Sequence, residues 1–356
     1  MSQITDSAGA QAGAPRSVLG QLHDAITPRA VMIMVGVLLL QLAFALSYMG
    51  ALHNPKPHKI ALDIVAPTAL ASGLVEQINA LPSQPLKATA VTTTVQAEKR
   101  LMDRSSSAAL VVRPAAKADV LMIASAGGPS VAAATEQIVQ KIEKAQRREI
   151  KVVDIHPPAK GDSNGVSSFY LVLSWTIGGY LAASALNMAA GSKRPTLKRT
   201  SVRLAAMVPY AFVSGIGGAI IVGPVLNCLP GAFWDLVGLG VLIVLAGATV
   251  GVALQSLAGT VGLGLTILTF TILGNPSSGG IYPSSLLPPF WAAIGQALPP
   301  GAGTTAVRNT VYFDGHDTAG AIWVLIAWVL GGVLVAMASA LLRDRRRQSS
   351  TGPQSA

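Results

Sequence analysis

Six stretches of this chain, at about 30–52, 168–190, 204–226, 236–256, 260–275 and 319–342, contain no Lys, Arg, Asp or Glu. Most approach the roughly 20 apolar residues that cross a hydrocarbon core. The fifth is shorter and carries Gly262, Gly264 and Gly274. A chain patterned this way cannot cover its apolar surface with charge: 12% of its residues are charged and 51% hydrophobic, against about 25% charged in a soluble domain. A lipid bilayer is the solvent that suits it, and the apolar content excludes disorder for the bulk of the chain. The first stretch is too long for a signal-peptide core and runs into His53-Asn54-Pro55-Lys56 instead of a small-residue cleavage site. It reads as a retained transmembrane helix.

Basic residues orient the spans. The loop 191–203 holds Lys193, Arg194, Lys198, Arg199 and Arg203 with no acid, and the tail 343–356 holds Arg343, Arg345, Arg346 and Arg347. The loop 227–235 has no Lys or Arg. Basic loops stay in the cytoplasm, so the pattern predicts a multi-pass protein of the cell (plasma) membrane with both termini cytoplasmic. Much of the net charge of +10 is then a topology signal. The cytoplasmic segments carry no aromatic residue on which a base could stack, so nucleic acid is not an expected partner. Tyr48, Trp234 and Trp323 fall near the outer ends of their stretches, as in an interfacial aromatic belt.

Residues 53–167 differ. HKIALDIVAP alternates as a strand does, TALASGLVEQINAL has helical spacing, KATAVTTTV is β-branched, and QAEKRLMDRSS is a short amphipathic helix. Two apolar strands, a helix opened by Pro129, and the strand EIKVVDIHPP complete the order β-α-β-α-β-β-α-β. The expected fold is a polytopic α-helical membrane protein with six transmembrane helices and one extracytoplasmic α/β domain inserted between helices 1 and 2. Its parts are a cytoplasmic segment at 1–29, helix 1 at 30–52, the α/β domain at 53–167, a five-helix domain at 168–342 and a basic tail at 343–356.

Several chemistries are not supported. Cys228 is the only cysteine and the five histidines show no ligand spacing, so neither a metal site nor a cofactor is expected. Asp154 and His156 share a strand face without a nucleophile elbow or paired-acid motif. No phosphate-binding GxxxxGK[ST] occurs, so the chain is not expected to be an enzyme and any ATPase activity would belong to another chain. The stretches lack the ionisable groups of a proton relay. Small residues are frequent instead; Gly247 and Gly251 form a GxxxG pair that suits either intramolecular packing or a dimer seam.

After the fifth stretch the chain is apolar and aromatic yet interrupted by Pro276, Pro283, Pro288, Pro289, Pro299 and Pro300. No straight spanning helix tolerates this many breaks. The segment 276–300 is expected to be a broken outer hairpin, re-entrant or lying on the surface. Asn275, Pro276, Gly279, Gly280, Pro283, Pro288, Trp291, Pro299 and Arg308 are candidate residues of an outer gate. The glycines would permit the turn, Trp291 would anchor it near the interface, and Arg308 would pair with Asp314, Asp317 or lipid phosphate.

Asp162, Asn164 and Gly165, then Gly274-Asn275-Pro276-Ser277-Ser278-Gly279-Gly280, Tyr282-Pro283, Leu287-Pro288, Phe290-Trp291, Leu298-Pro299 and Val307-Arg308-Asn309 resemble the ABC-2 type membrane subunits, in particular their phage-infection-protein (Pip)-like branch. The resemblance implies a permease subunit that works as a homodimer or heterodimer with a separate ATP-binding subunit. It places the docking of that subunit at 191–203, on Lys193, Arg194, Lys198, Arg199 and Arg203. It also implies an amphipathic helix before helix 1, for which SVLGQLHDAIT is the candidate. The short basic loop with Pro195 departs from a well-formed coupling helix. Uncharged helices suit a lipid-like or amphipathic cargo. The alternative is a non-transport surface protein (receptor, scaffold or envelope-assembly factor) acting through its outer domain.

Overall fold

A computed structural model of the chain describes residues 27–189 and 196–350, without the side chains of Arg29 and 347–350. All of SVLGQLHDAIT except Thr27, together with Lys193 and Arg194, lies outside the described residues. The chain divides into two compact units, 1–43 and 44–356. The first helix, α1 (Pro28–Leu52), straddles the division.

Within the second unit, residues 60–154 form a sheet covered on both faces. Its strands are β1 (Ile60–Val65), β2 (Leu86–Val91), β3 (Ala108–Val111), β4 (Ala118–Ile123) and β5 (Glu149–Asp154). They lie in the order β2-β1-β3-β4-β5, with only the β3–β4 pair antiparallel. Ile60, Leu62 and Ile64 of β1 point to one face, where Ile78 of α2 (Thr68–Asn79) and Val131 and Val139 of α4 (Pro129–Ala145) cover them. Ala109 and Met122 point to the other, under Ala97 and Leu101 of α3 (Thr94–Met102). The period of two along each strand thus sorts one sheet into two apolar layers. Two buried carboxylates on the inner strands β1 and β4 are paired: Asp63 with Arg100 at 2.8 Å and Asp119 with Arg148 at 2.6 Å.

The remaining helices are α5 (Ser167–Ala189), α6 (Leu197–Ile220), α7 (Phe233–Ala258), α8 (Thr260–Ile267), α9 (Pro289–Gly295), α10 (Pro299–Tyr312) and α11 (Ala319–Ser350). Among the described residues, five helical segments are long and apolar enough to cross a membrane: Ala30–Leu52, Ser167–Ala189, Leu197–Val225, Phe233–Ala258 and Ala319–Arg346. The central one is α7. A Cβ at its Gly247 would sit 2.7 Å from the Thr176 carbonyl of α5, and one at Gly251 would touch Tyr180 and Ala183. The GxxxG pair therefore packs inside the chain. Trp175 locks α5 to α6 by donating to the Ser214 carbonyl at 3.0 Å.

The stretch 260–275 is built differently from the five. Gly259, at φ +59°, turns the chain back along α7. Helix α8 then widens into a π-helix at Leu268–Gly274 and a last turn at Asn275–Ser277. Phe270 packs with Tyr180 and Val250, and Gly280 lies against Phe169 in the first turn of α5. The segment therefore climbs from the end of α7 back to the start of α5.

The broken hairpin sits later than 276–300. Residues 281–288 are mostly irregular, and two short helices, α9 and α10, make the hairpin. Each begins at a proline, which helix starts accept. Its exposed tip is held against the bundle: Trp328, part-way along α11, donates to the Ala297 carbonyl at 2.8 Å, and Pro300 meets Gly274.

Candidate functional site at the junction of domain and bundle

The segment 281–287 is attached to the α/β domain. Lys56 and His58 amides donate to the Leu286 and Ser285 carbonyls at 3.2 and 2.8 Å. Ser130 donates to the Ile281 carbonyl at 3.0 Å, and Leu286 joins the core under β1. The domain is therefore tied to the membrane part along 281–287 as well as through its own chain ends. It shares its core with the bundle through Ala124 and Ala126, which cluster with Val172, Leu229 and Phe313.

Arg308 is at the centre of this junction. It is 5% exposed, on α10. Its guanidinium donates to the carbonyls of Gly279 at 3.1 Å, Gly280 at 3.2 Å and Gly165 at 3.5 Å. One planar fork thus joins the hairpin, the GNPSSGG turn and the entry to α5. This corrects the expectation of a loop charge paired with Asp314, Asp317 or phosphate. A guanidinium is buried here because carbonyl dipoles on one side and a carboxylate nearby replace its water. That carboxylate is Asp162, 3% exposed, which accepts from the Ser167 amide at 2.9 Å and the Tyr312 hydroxyl at 2.9 Å. Tyr312 stands one helical turn after Arg308, on the same face of α10.

A second, half-buried cation lies near the first. Arg104 donates to the Gly127 carbonyl at 3.2 Å and lies 4.5 Å over the Phe313 ring. Burial draws its guanidinium below the usual range, with the Asp317 carboxylate acting the other way. Sequence reasoning missed Arg104 and Tyr312. The i, i+4 spacing of Arg308 and Tyr312 carried a signal; nothing local marked Arg104.

The other gate candidates gather at the same end. Asn275, Pro276, Gly279, Gly280 and Pro299 are buried, and Pro283 packs on Gly128. Gly279 is at φ +77°, a conformation that favours glycine. Gly280 has no such φ; a Cβ there would run into the Phe169 ring. Pro288 caps α9, and Trp291 is half-buried beside Gly50. Tyr48, expected in an interfacial belt, instead faces the π-helix, where it donates to the Thr271 carbonyl at 3.4 Å.

The Asp154 carboxylate and the His156 ring have different partners. Asp154 accepts from Ser125 and from the His156 amide, while the His156 ring packs 5.3 Å from Phe313.

The docking candidates lie at the opposite end of the bundle. Lys198, Arg199 and Arg203 occupy the first two turns of α6, not a loop, because Thr196 caps the helix there. The Leu197 amide donates to Asp344 of α11 at 2.9 Å, Arg343 to the Leu257 carbonyl at 3.3 Å, and Arg203 to Asn187 at 3.0 Å. The 343–350 tail continues α11, so the two basic segments form one surface.

Long apolar helices around a broken hairpin, with an α/β domain fused to one end, define a multi-pass membrane protein. The chain belongs to the ABC-2 family transporter proteins: the profile of that family matches residues 29–340. It is a membrane transport subunit of the permease class, in a family that generally works with an ATP-binding subunit in a lipid bilayer. Comparison with curated proteins gives no match.

Proposed function

We propose that this chain is the permease subunit of an exporter that moves a lipid-like or amphipathic cargo, driven by ATP hydrolysis on a separate subunit. We place it in the Pip-like branch, with six spans, in the plasma membrane, acting as a homodimer or heterodimer. The sixth span is the α8 segment, whose course from Gly259 to Gly280 supports a full crossing. The end carrying Lys198, Arg199, Arg203, Arg343, Arg345 and Arg346 is cytoplasmic by the positive-inside rule. Both termini are then cytoplasmic, and the α/β domain is outside.

The observation that carries the mechanism is the Arg308 clamp. A movement of the spans is transmitted through it to the α/β domain and to the α9–α10 hairpin as one body. In this reading the hairpin is the outer gate, and the partner ATPase acts on the basic end some 30 Å away, the thickness of the hydrocarbon core. The fusion of the domain to the bundle favours this over a surface receptor or scaffold, whose recognition domain would need no such clamp. Purification in mild detergent with capture of an ATP-binding protein tests it. A chain recovered intact with no such partner, and active without ATP, would refute it.

A further inference from the structure

Between α5 and α6, on the half nearer the basic end, runs an open furrow of about 630 Å³. Ala182, Ala185 and Ala189 line one side and Ala206, Met207 and Tyr210 the other. The Tyr210 hydroxyl is turned to the Gly178 carbonyl at 3.2 Å, so the walls offer apolar surface. Unfilled space of this size forfeits dispersion contacts, and in a bilayer something fills it. Where the furrow meets the basic end, Arg203 of α6 donates to Asn187 of α5 at 3.0 Å and bridges the two helices. Met207 lies one turn after Arg203 and Arg199 one turn before it, so both guanidiniums continue the ridge of α6 that walls the furrow. Asn187 stands in sequence between Leu186 and Ala189 of the opposite wall. Its bond occupies one N–H of a fork that carries several, on a side chain that is partly exposed. Asp344, the one acid of 191–203 and 343–356, accepts from the Leu197 amide.

We propose that this furrow binds one anionic phospholipid of the leaflet at the basic end, with its phosphate on Arg203 and Arg199 and an acyl chain lying past Met207 to Tyr210. A guanidinium meets a phosphate through paired, charge-assisted hydrogen bonds. Two guanidiniums one helical turn apart repel each other, and an anion between them removes that repulsion. From Arg203 to Tyr210 the ridge runs about 10 Å, two thirds of the roughly 15 Å that one leaflet's chains span. In the topology proposed above this is the cytoplasmic leaflet, the one that carries anionic lipids. A free phosphate would use the arginines and leave the furrow empty. A second copy of the chain, meeting this face by two-fold symmetry, would bring its own Arg199 and Arg203 against these. The site needs neither the cargo nor the ATPase, and it leaves the exposed Lys198 and Arg345 for the ATP-binding subunit.

The test reconstitutes the purified full-length chain, without ATP, in phosphatidylcholine nanodiscs. Each preparation holds a trace of phosphatidylglycerol or of phosphatidylcholine with a diazirine in its acyl chain. After irradiation, the phosphatidylglycerol probe is expected to label the peptides containing Ala185 and Met207 about tenfold more than the phosphatidylcholine probe does. Both should label equally the peptide containing Leu334, on the exposed face of α11. Millimolar inorganic phosphate should not displace the label. Arg203→Gln should lower phosphatidylglycerol labelling of the furrow about tenfold, the loss of one charge-assisted contact. If Gln at 203 prevents insertion, Ala185→Trp, on an exposed wall position, should fill the furrow and abolish labelling at Met207 with Arg203 intact. Equal furrow labelling by the two probes, unchanged labelling in a folded variant, or displacement by inorganic phosphate would overturn the proposal. So would crosslinks between copies of the chain through the furrow in place of lipid adducts. Because neither cargo nor ATPase takes part, such a failure would leave the permease reading standing. Failure to capture an ATPase would leave the lipid result untouched.

Discussion

Arg308 shows what one buried guanidinium does when three carbonyls from two separate segments converge on it. Lysine keeps the charge but is a point donor and cannot span the same fork. Arg308→Lys is therefore expected to lower the thermal unfolding midpoint of the detergent-purified chain and to reduce activity per inserted molecule by tenfold or more. A variant with normal activity and midpoint would show that the clamp carries no coupling. Gly280 makes a second case. A Cβ meets the Phe169 ring, so Gly280→Ala should cost about 1–3 kcal/mol by overpacking. Phe169→Leu in the same chain should recover most of that loss, measured as the midpoint of thermal unfolding. No recovery would mean that the glycine is needed for something other than this contact. The sequence marked both residues but not their roles. Arg308 read as a loop charge because the burial of a lone Arg depends on carbonyls from 143 and 28–29 positions away. Gly280 read as a hinge because a glycine needed for space and one needed for φ look alike in sequence.

At the scale of elements, the order of strands and helices in the α/β domain was legible because each carries its own period: two in HKIALDIV, three to four in TEQIVQKIEK. The five long helices were legible from uninterrupted apolar length instead. The π-helix at Leu268–Gly274, the shift of the hairpin to α9–α10, and the extension of α11 through its arginines were not. Each is fixed by contacts with other segments, Trp328 at the Ala297 carbonyl and Asp344 at the Leu197 amide among them. The end of α4 carries a pH dependence that only the fold reveals. Glu143 is buried beside Asp119, with Arg148 3.7 Å from its carboxylate. Burial first, then the neighbouring Asp119, push Glu143 up to about 7 from an ordinary 4.5. Burial acts to raise Asp119 as well, but the Arg148 and Arg113 contacts outweigh it and hold Asp119 below its usual range. The folded state thus keeps a proton on Glu143 that the unfolded state releases. The resulting stability is full below about 4.5 and is lost as pH rises through about 7. Glu143→Gln should raise the unfolding midpoint at pH 8 and change it little at pH 4.5. A larger gain at pH 4.5 than at pH 8 would contradict the assignment.

For the molecule as a whole, the charges of the sequence and the geometry of the fold agree on two ends. One carries the α/β domain, the hairpin and the 227–232 loop; the other carries the basic turns of α6 and α11. In a chain with Cys228 replaced by Ala, Trp234→Cys should react with an impermeant maleimide on intact cells and Lys198→Cys only after permeabilisation. The opposite pattern would invert the proposed topology. The central claim is that the basic end receives an ATP-binding subunit whose work reaches the hairpin through Arg308. The most direct measurement places a photo-crosslinking amino acid at position 198, irradiates native membranes and identifies the adducts by mass spectrometry. The account predicts a covalent adduct with an ATP-binding protein, formed equally in Arg308→Lys, because the clamp lies at the far end. Adducts with lipid alone, on a chain that remains inserted and folded, would contradict it.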